Sequence, residues 1–128
     1  MPRPTEPPRD SIPLRSTLAR MSIQPGACLA HVDRLHKLED ESGYFPYVVC
    51  MGPRVMNQLH CWLESGDIVA DLTRPLGMRF FKRQDYYDCF SIDPQQVKRY
   101  SFADVTIKTL TAGQVSFWDF DMQQYAAT

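Results

Sequence analysis

From Leu59 to Thr73 the chain alternates with a period of two, and the alternation is interrupted only around Ser65-Gly66. A period of two places successive side chains on opposite faces of a strand, and a Ser-Gly pair between two apolar runs is a hairpin signal. The pattern therefore predicts two strands joined by a tight turn at Ser65-Gly66. Such a turn pairs Glu64 with Asp67, Leu63 with Ile68, Trp62 with Val69, Cys61 with Ala70 and His60 with Asp71. A four-residue loop from Glu64 to Asp67 keeps this register, whereas a three-residue loop shifts it by one and breaks the pairing. Leu59, Cys61, Leu63, Ile68, Ala70 and Leu72 then form one apolar face, while His60, Trp62, Val69 and Asp71 share the other.

Upstream the period changes to that of a helix. Cys28, Val32 and Leu35 recur at i, i+4 and i+7, with Leu29 and Leu38 widening the stripe, which predicts a helix from Ala27 to Ser42 closed by Gly43. A shorter helix is predicted from Pro13 to Met21, broken by Gln24-Pro25-Gly26. Tyr44 to Met51 reads as a strand entered at Pro46, followed by a turn at Gly52-Pro53-Arg54. Beyond a loop at Arg74-Pro75-Leu76-Gly77, the aromatic cluster Phe80, Phe81, Tyr86, Tyr87 and Phe90 predicts a strand over Tyr86–Ile92. Asp93-Pro94 turns the chain into a further strand over Val97–Phe102. Ser101 and Asp104 have capping-box spacing for a helix to Thr111, stopped by Gly113. Val115, Phe117, Trp118 and Phe120 are left as a last strand or an aromatic plug. Residues 1–11, with Pro2, Pro4, Pro7 and Pro8, carry too little apolar surface to offset their ordering entropy and are expected to form a disordered arm. Residues 12–128 are expected to form one α+β domain, an antiparallel sheet packed against the Ala27–Ser42 helix.

Composition narrows the function only by exclusion. The chain has 128 residues, 44% hydrophobic and 23% charged, with a net charge of −1, so neither nucleic acid nor an anionic membrane is an electrostatically favoured partner. No apolar run approaches the ~20 residues of a membrane span, and the N-terminus lacks the apolar region of a secretory signal. A cytoplasmic protein is the default. Cys28, Cys50, Cys61 and Cys89 include no C-x-x-C pair, which argues for reduced thiols. No metal is expected: the neighbours His60 and Cys61 point to opposite faces, and the Cys28/His31 pair has no second pair at ligand spacing. P-loop and dinucleotide fingerprints are absent, and no cofactor is implied.

The candidate chemistry comes from three residues. His60 facing Asp71 across a hairpin is either a satisfied polar pair or an oriented base. Cys28, in the first turn of a helix, feels the positive end of the dipole and the unpaired N–H groups, both of which favour a reactive thiolate. Cys50, Cys61 and Cys89 read as small buried hydrophobes. His31 and His36 read as solvated helix residues, although His31 at i+3 could bond the thiol. Trp62 is either a lid over the imidazole or plain packing.

Cys28-Leu29 at a helix start, His60-Cys61-Trp62-Leu63-Glu64, Gly66 and Asp71-Leu72-Thr73 together resemble the transglutaminase-like branch of the papain-like cysteine enzymes. The small bacterial members, such as leader peptidases of lasso-peptide pathways, come closest. The resemblance spans Gly26 to Thr73 and implies Cys28 as nucleophile, His60 as base and Asp71 as the residue orienting the base. No aromatic follows Cys28, unlike the proteolytic papain branch. Gln24, Asn57, Gln58 and the Cys28 backbone N–H are candidates for the oxyanion donor, and Trp62 is a further substrate-side candidate. The expected function is a small cysteine hydrolase or acyl transferase acting on an amide, peptide or thioester, with a partner protein as one way to deliver the substrate. The alternative is a non-catalytic α+β binding or accessory module whose aromatic-lined groove takes a small molecule or peptide.

Overall fold

Cys28, Val32 and Leu35 fall on one side of helix α1, Cys28–Leu38, and are buried together with His31. His36 and Lys37 lie in its last turn, where cations complement the helix dipole, and both bond Asp33 one turn earlier. The computed structural model describes residues 2–7, 14, 28–38, 44, 46–73 and 79–125. The predicted helix over 13–21 therefore lies outside the described residues except for the buried Leu14, as do Gly43 and the ends of the Ala27–Ser42 helix. His31, expected to be solvated, is buried.

Five strands follow: β1 Val48–Arg54, β2 Gln58–Ser65, β3 Ile68–Asp71, β4 Arg79–Lys82 and β5 Lys98–Tyr100. They form one sheet in the order β4-β3-β2-β1-β5, with every neighbouring pair antiparallel. The protein is thus α+β, with α1 against the sheet, as the pattern predicts. Gly52-Pro53-Arg54 is the end of β1 rather than a turn, opposite His60, Leu59 and Gln58. Proline is tolerated there because β5 pairs only Val49 to Met51, leaving Pro53 on a locally free edge. The actual turn is Val55–Asn57, with Met56 and Asn57 both left-handed at φ 64 and 57.

The β2–β3 hairpin pairs Leu63 with Ala70, Glu64 with Val69 and Ser65 with Ile68. Its turn residues are therefore Gly66-Asp67, not Ser65-Gly66. Gly66 has φ +59, which a type II′ turn requires at its first central position and which glycine adopts without strain. The predicted register is thus two residues out: Glu64 meets Val69 instead of Asp67. A two-residue slip preserves the face of every side chain, so the predicted division into faces stands.

Tyr86–Ile92 is not a strand. Helix α2 occupies Arg83–Phe90 and ends at Ser91, left-handed at φ 55, whose N–H bonds the Tyr87 carbonyl. Aromatic richness mimics strand propensity, but Tyr86, Tyr87 and Phe90 at i, i+1 and i+4 also share one helical face. That face meets the sheet. Cys89 lies on the other side of α2 and is exposed, against the expectation of burial. Helix α3, Phe102–Ala112, carries the predicted capping box between Ser101 and Asp104 and stops at Gly113, φ 89. Val115 and Phe117 are buried in the core as a plug without strand structure.

Two cores result. One joins α1 and α3 to the face carrying Leu59, Cys61, Leu63, Ala70 and Leu72. The other joins α2 to the face carrying Cys50, Trp62 and Val69. Covered on both sides, β1 and β2 are buried along almost their whole length. The composition predicts a disordered arm over 1–11, yet the described residues 2–7 run along β4. Pro4 bridges Phe81, and the Thr5 N–H donates to the Phe80 carbonyl at 2.7 Å. An edge strand presents unpaired backbone groups that can hold such a segment without any core of its own.

Ser101→Ala removes one half of the α3 capping box. It is expected to cost about 1 kcal/mol, read as a lower urea midpoint with an unchanged slope.

Candidate active site

The end of β2 and the end of β3 set the positions of His60 and Asp71. Continuing the observed ladder places Trp62, not His60, opposite Asp71, and brings Thr73 opposite His60. Directly opposed His60 and Asp71 are therefore corrected to a diagonal pair. The contact survives because long side chains reach diagonal neighbours. His60 Nε2 lies 3.6 Å from Asp71 Oδ1 and 3.4 Å from Thr73 Oγ1.

Thr73 closes this arrangement. Its backbone N–H and its hydroxyl both donate to Asp71 Oδ1, at 2.9 and 2.8 Å. With the one hydroxyl proton committed to Asp71, the Thr73 oxygen faces Nε2 as an acceptor, which assigns the ring proton to Nε2. Nδ1 is then the nitrogen left to serve a thiol. The other Asp71 oxygen, Oδ2, accepts from Tyr86 Oη at 2.8 Å and lies 3.7 Å from Arg54 Nη1. Arg54 also donates to Tyr86 Oη at 3.2 Å, and its guanidinium lies 4.4 Å from the centre of the Phe90 ring.

Burial alone would raise the pKa of Asp71, but His60 and the two Thr73 donors outweigh it and hold the carboxyl well below the usual carboxylate range. For His60, burial favours the neutral ring, and the Asp71 and Cys28 contacts more than reverse this, leaving its pKa raised. Cys28 is the first residue of α1, and Cys61 and His60 are the neighbours that act on its thiol. The Cys61 contact and then His60 bring its pKa down to about 5 against the opposing effect of burial. Of the residues singled out in the sequence, His60 and Asp71 are thus brought together, and the Cys28 thiol feels the His60 ring electrostatically. The thiol is only 2% exposed, so a substrate reaches it only if the site opens.

The remaining candidates do not join this group. Trp62 is wholly buried; its ring stacks beside His60 with centroids 6.4 Å apart and its Nε1 donates to Glu64 at 2.8 Å, which makes it packing rather than a lid or a substrate contact. Asn57 is exposed in the β1–β2 turn, where its amide donates to the Gln124 carbonyl at 2.5 Å, away from an oxyanion. Gln58 is half-buried at the start of β2 opposite Arg54, and Gln24 lies outside the described residues. The Cys28 N–H belongs to the first turn of α1, where such groups lack helical partners. Among the described residues no group of three His, Cys, Asp or Glu side chains could hold a metal ion, and no helix is long and apolar enough to cross a membrane.

Thr73, Tyr86 and Arg54 went unnoticed in the sequence. Thr73 had a signal in the Asp71-Leu72-Thr73 motif. Tyr86 and Arg54 had none, since one was read into a strand and the other into a turn. Glu64 was also misplaced. It is buried, accepting from Trp62 and from the Tyr87 hydroxyl, with Arg99 and Arg83 at 3.5 and 3.8 Å. Burial and the neighbouring Glu64 charge push the Cys50 thiol up, which makes it inert.

A depressed folded pKa at Asp71 contributes stability that is fully present above the unfolded value of about 3.9 and is lost as pH falls toward the folded one. Urea unfolding is therefore expected to find wild type more stable than Asp71→Asn at pH 6. The gap should narrow progressively below about pH 4.

Comparison with protein-family models, curated proteins and solved structures finds no match, so the residues of this site and their geometry are the basis on which its chemistry is judged.

Proposed function

We propose that this protein is a small cysteine hydrolase or acyl transferase acting on an amide, peptide or thioester in the cytoplasm. The observation that carries the reading is the buried Asp71, bonded by Thr73 and Tyr86 and 3.6 Å from His60, with the thiol of Cys28, at the start of α1, lowered in pKa by Cys61 and His60. The resemblance of Cys28-Leu29, His60-Cys61-Trp62-Leu63-Glu64 and Asp71-Leu72-Thr73 to transglutaminase-like cysteine enzymes supports the same roles.

In this mechanism the Cys28 thiolate attacks the carbonyl carbon, and the imidazolium of His60 gives its Nδ1 proton to the departing amine or thiolate. The acyl group is left on sulfur. Water or an amine then attacks the thioester while His60 takes its proton, and the thiol is released. Asp71 keeps the ring oriented and stabilises its charged form, with Thr73, Tyr86 and Arg54 keeping the carboxylate in place. The Cys28 backbone N–H is the oxyanion donor best placed by its helix start.

The binding-module reading has its own candidate location. Phe81 of β4 and Tyr86 and Tyr87 of α2 are buried between the helix and the sheet and offer no groove. A cavity of about 450 Å³ lies instead beside Trp118, lined by Ile107, Lys108, Thr111, Ala112 and Asp119.

Iodoacetamide at pH 6, followed by peptide mapping, tests the enzyme reading, because an ordinary thiol with a pKa of about 8.5 is almost unreactive there. Labelling is expected at Cys28 alone and to disappear in Cys28→Ala. In His60→Ala the pH midpoint should move up toward the ordinary value, and acylation by p-nitrophenyl acetate should slow about 10²–10⁴-fold. Four unreactive thiols and no acyl-enzyme would rule out the catalytic role in favour of the binding module.

A further inference from the structure

The two edges of the sheet are covered differently. Outside β4 the segment 2–7 lies along the strand, with Pro4 bridged to Phe81 and the Thr5 N–H donating to the Phe80 carbonyl. At the other edge β5 pairs with β1 alone among the described residues. The backbone groups on its outer side have no strand partner there, and such groups are a template for a further strand. A groove runs along this edge. A cavity of about 320 Å³ is lined by Lys98, Arg99 and Tyr100 of β5 and by Asp104, Ile107 and Lys108 of α3. Consecutive strand residues point to alternate faces, so a cavity that touches all three lies against the edge of β5 and not on one face. It shares Ile107, Lys108 and Asp119 with the cavity of about 450 Å³ beside Trp118, and the two adjoin. The Trp118 ring is held edge-on to Tyr100 at 5.5 Å, and its Nε1 donates to the Gln114 carbonyl at 3.0 Å, so this apolar wall is fixed in place.

Charge selects the occupant. Lys98 and Arg99 are both exposed. Arg99 reaches Glu64 at 3.5 Å and the Tyr87 hydroxyl at 3.2 Å, whereas Lys98 makes no ion pair with a described residue. Asp119, which feels the Lys98 charge, is held by Lys108 Nζ at 3.1 Å from each oxygen and by the Tyr100 hydroxyl. Asp104 is taken up in the capping box with the Ser101 N–H. Pairing two copies of this edge would set Lys98 and Arg99 of one against those of the other, and like charges on opposed strands are destabilising. An acidic strand escapes that repulsion and supplies the carboxylate that Lys98 lacks.

We propose that the groove between β5 and α3 docks an extended acidic peptide, which adds to the sheet as a strand beside β5. One aromatic or aliphatic side chain of the peptide enters the cavity beside Trp118, and an acidic one meets Lys98. Main-chain hydrogen bonds along the edge hold the peptide, and the cavity and the lysine select its side chains. The proposal rests on the binding-module reading of this cavity and names its ligand. It does not depend on Cys28 being a nucleophile.

The test titrates the isotope-labelled full-length chain with the capped peptide Glu-Val-Phe-Val-Glu and follows the amide spectrum. As a strand this peptide presents Phe and both Glu on one face. Two control peptides replace both Glu by Lys, or carry N-methyl groups on all internal amides. The acidic peptide is expected to shift the backbone amides of Lys98–Tyr100 and the indole N–H of Trp118 saturably. The indole signal of Trp62, which is wholly buried in the second core, should stay in place. The lysine peptide should bind about tenfold more weakly, and the N-methylated one should leave β5 unshifted. In Lys98→Glu, a change at an exposed position, the preference between the acidic and lysine peptides should reverse. If a control peptide binds as well as the acidic one and Trp118 still shifts, the proposal is overturned while the cavity remains a ligand site. If no peptide moves β5 or Trp118, the proposal and the binding-module reading fall together. The wild-type comparison decides this even if the variant does not fold. Iodoacetamide labelling of Cys28 is read separately and bears only on the enzyme.

Discussion

Asp71 is a carboxylate with no exposed surface, and its partners come from four places in the chain: Thr73 just past β3, Tyr86 on α2, Arg54 at the end of β1 and His60 on β2. A buried carboxylate without such partners would be protonated or expelled. The requirement to satisfy this one group therefore fixes the relative placement of three strands and a helix. It also explains why β1 runs on through Gly52 and Pro53. Only that extension carries Arg54 to the carboxylate, and Gly52 allows the 3–10 turn at Pro94–Gln96 to come close, since a Cβ there would meet the Gln96 carbonyl at 3.3 Å.

Glu64 works as a second anchor on the same face of β2. It accepts from Trp62 within its own strand and from Tyr87 on α2, with Arg99 of β5 alongside. Tyr86 and Tyr87, adjacent in sequence, thus tie the same helix to two different acids. Removing one partner of a buried charge costs about 3–5 kcal/mol, so α2 is held over the sheet by polar contacts as well as by the aromatic contacts of Trp62 with both tyrosines. The stacking of Trp62 beside His60 limits how far the imidazole can turn. The placement of His60 and the packing of the second core are in this way the same structural problem.

The four thiols show how environment alone separates identical side chains. Cys50 beside Glu64 is held neutral, and Cys61 is likewise pushed up by burial and by the neighbouring Cys28. Cys28 alone combines a helix start with an imidazole whose charged form is stabilised from behind by Asp71.

Local patterning determined much of this protein. The α1 stripe, the two faces of the hairpin, the Ser101 capping box and the Gly113 stop were legible in the sequence because each depends on residues within a turn or two of one another. So was the shared face of His60 and Asp71, since face parity survives a slip of two. What was not legible depended on choices that neighbours in space make. Gly66-Asp67 rather than Ser65-Gly66 became the turn, which moved Thr73 opposite His60. Arg83–Phe90 became a helix although its aromatics also suit a strand, because that brings Tyr86 and Tyr87 over two buried carboxylates that the sequence order does not connect. Local periodicity can say which face a side chain occupies. Only the packed tertiary structure decides which distant donor completes a buried charge, because that pairing is settled by desolvation across elements and not by propensity within them.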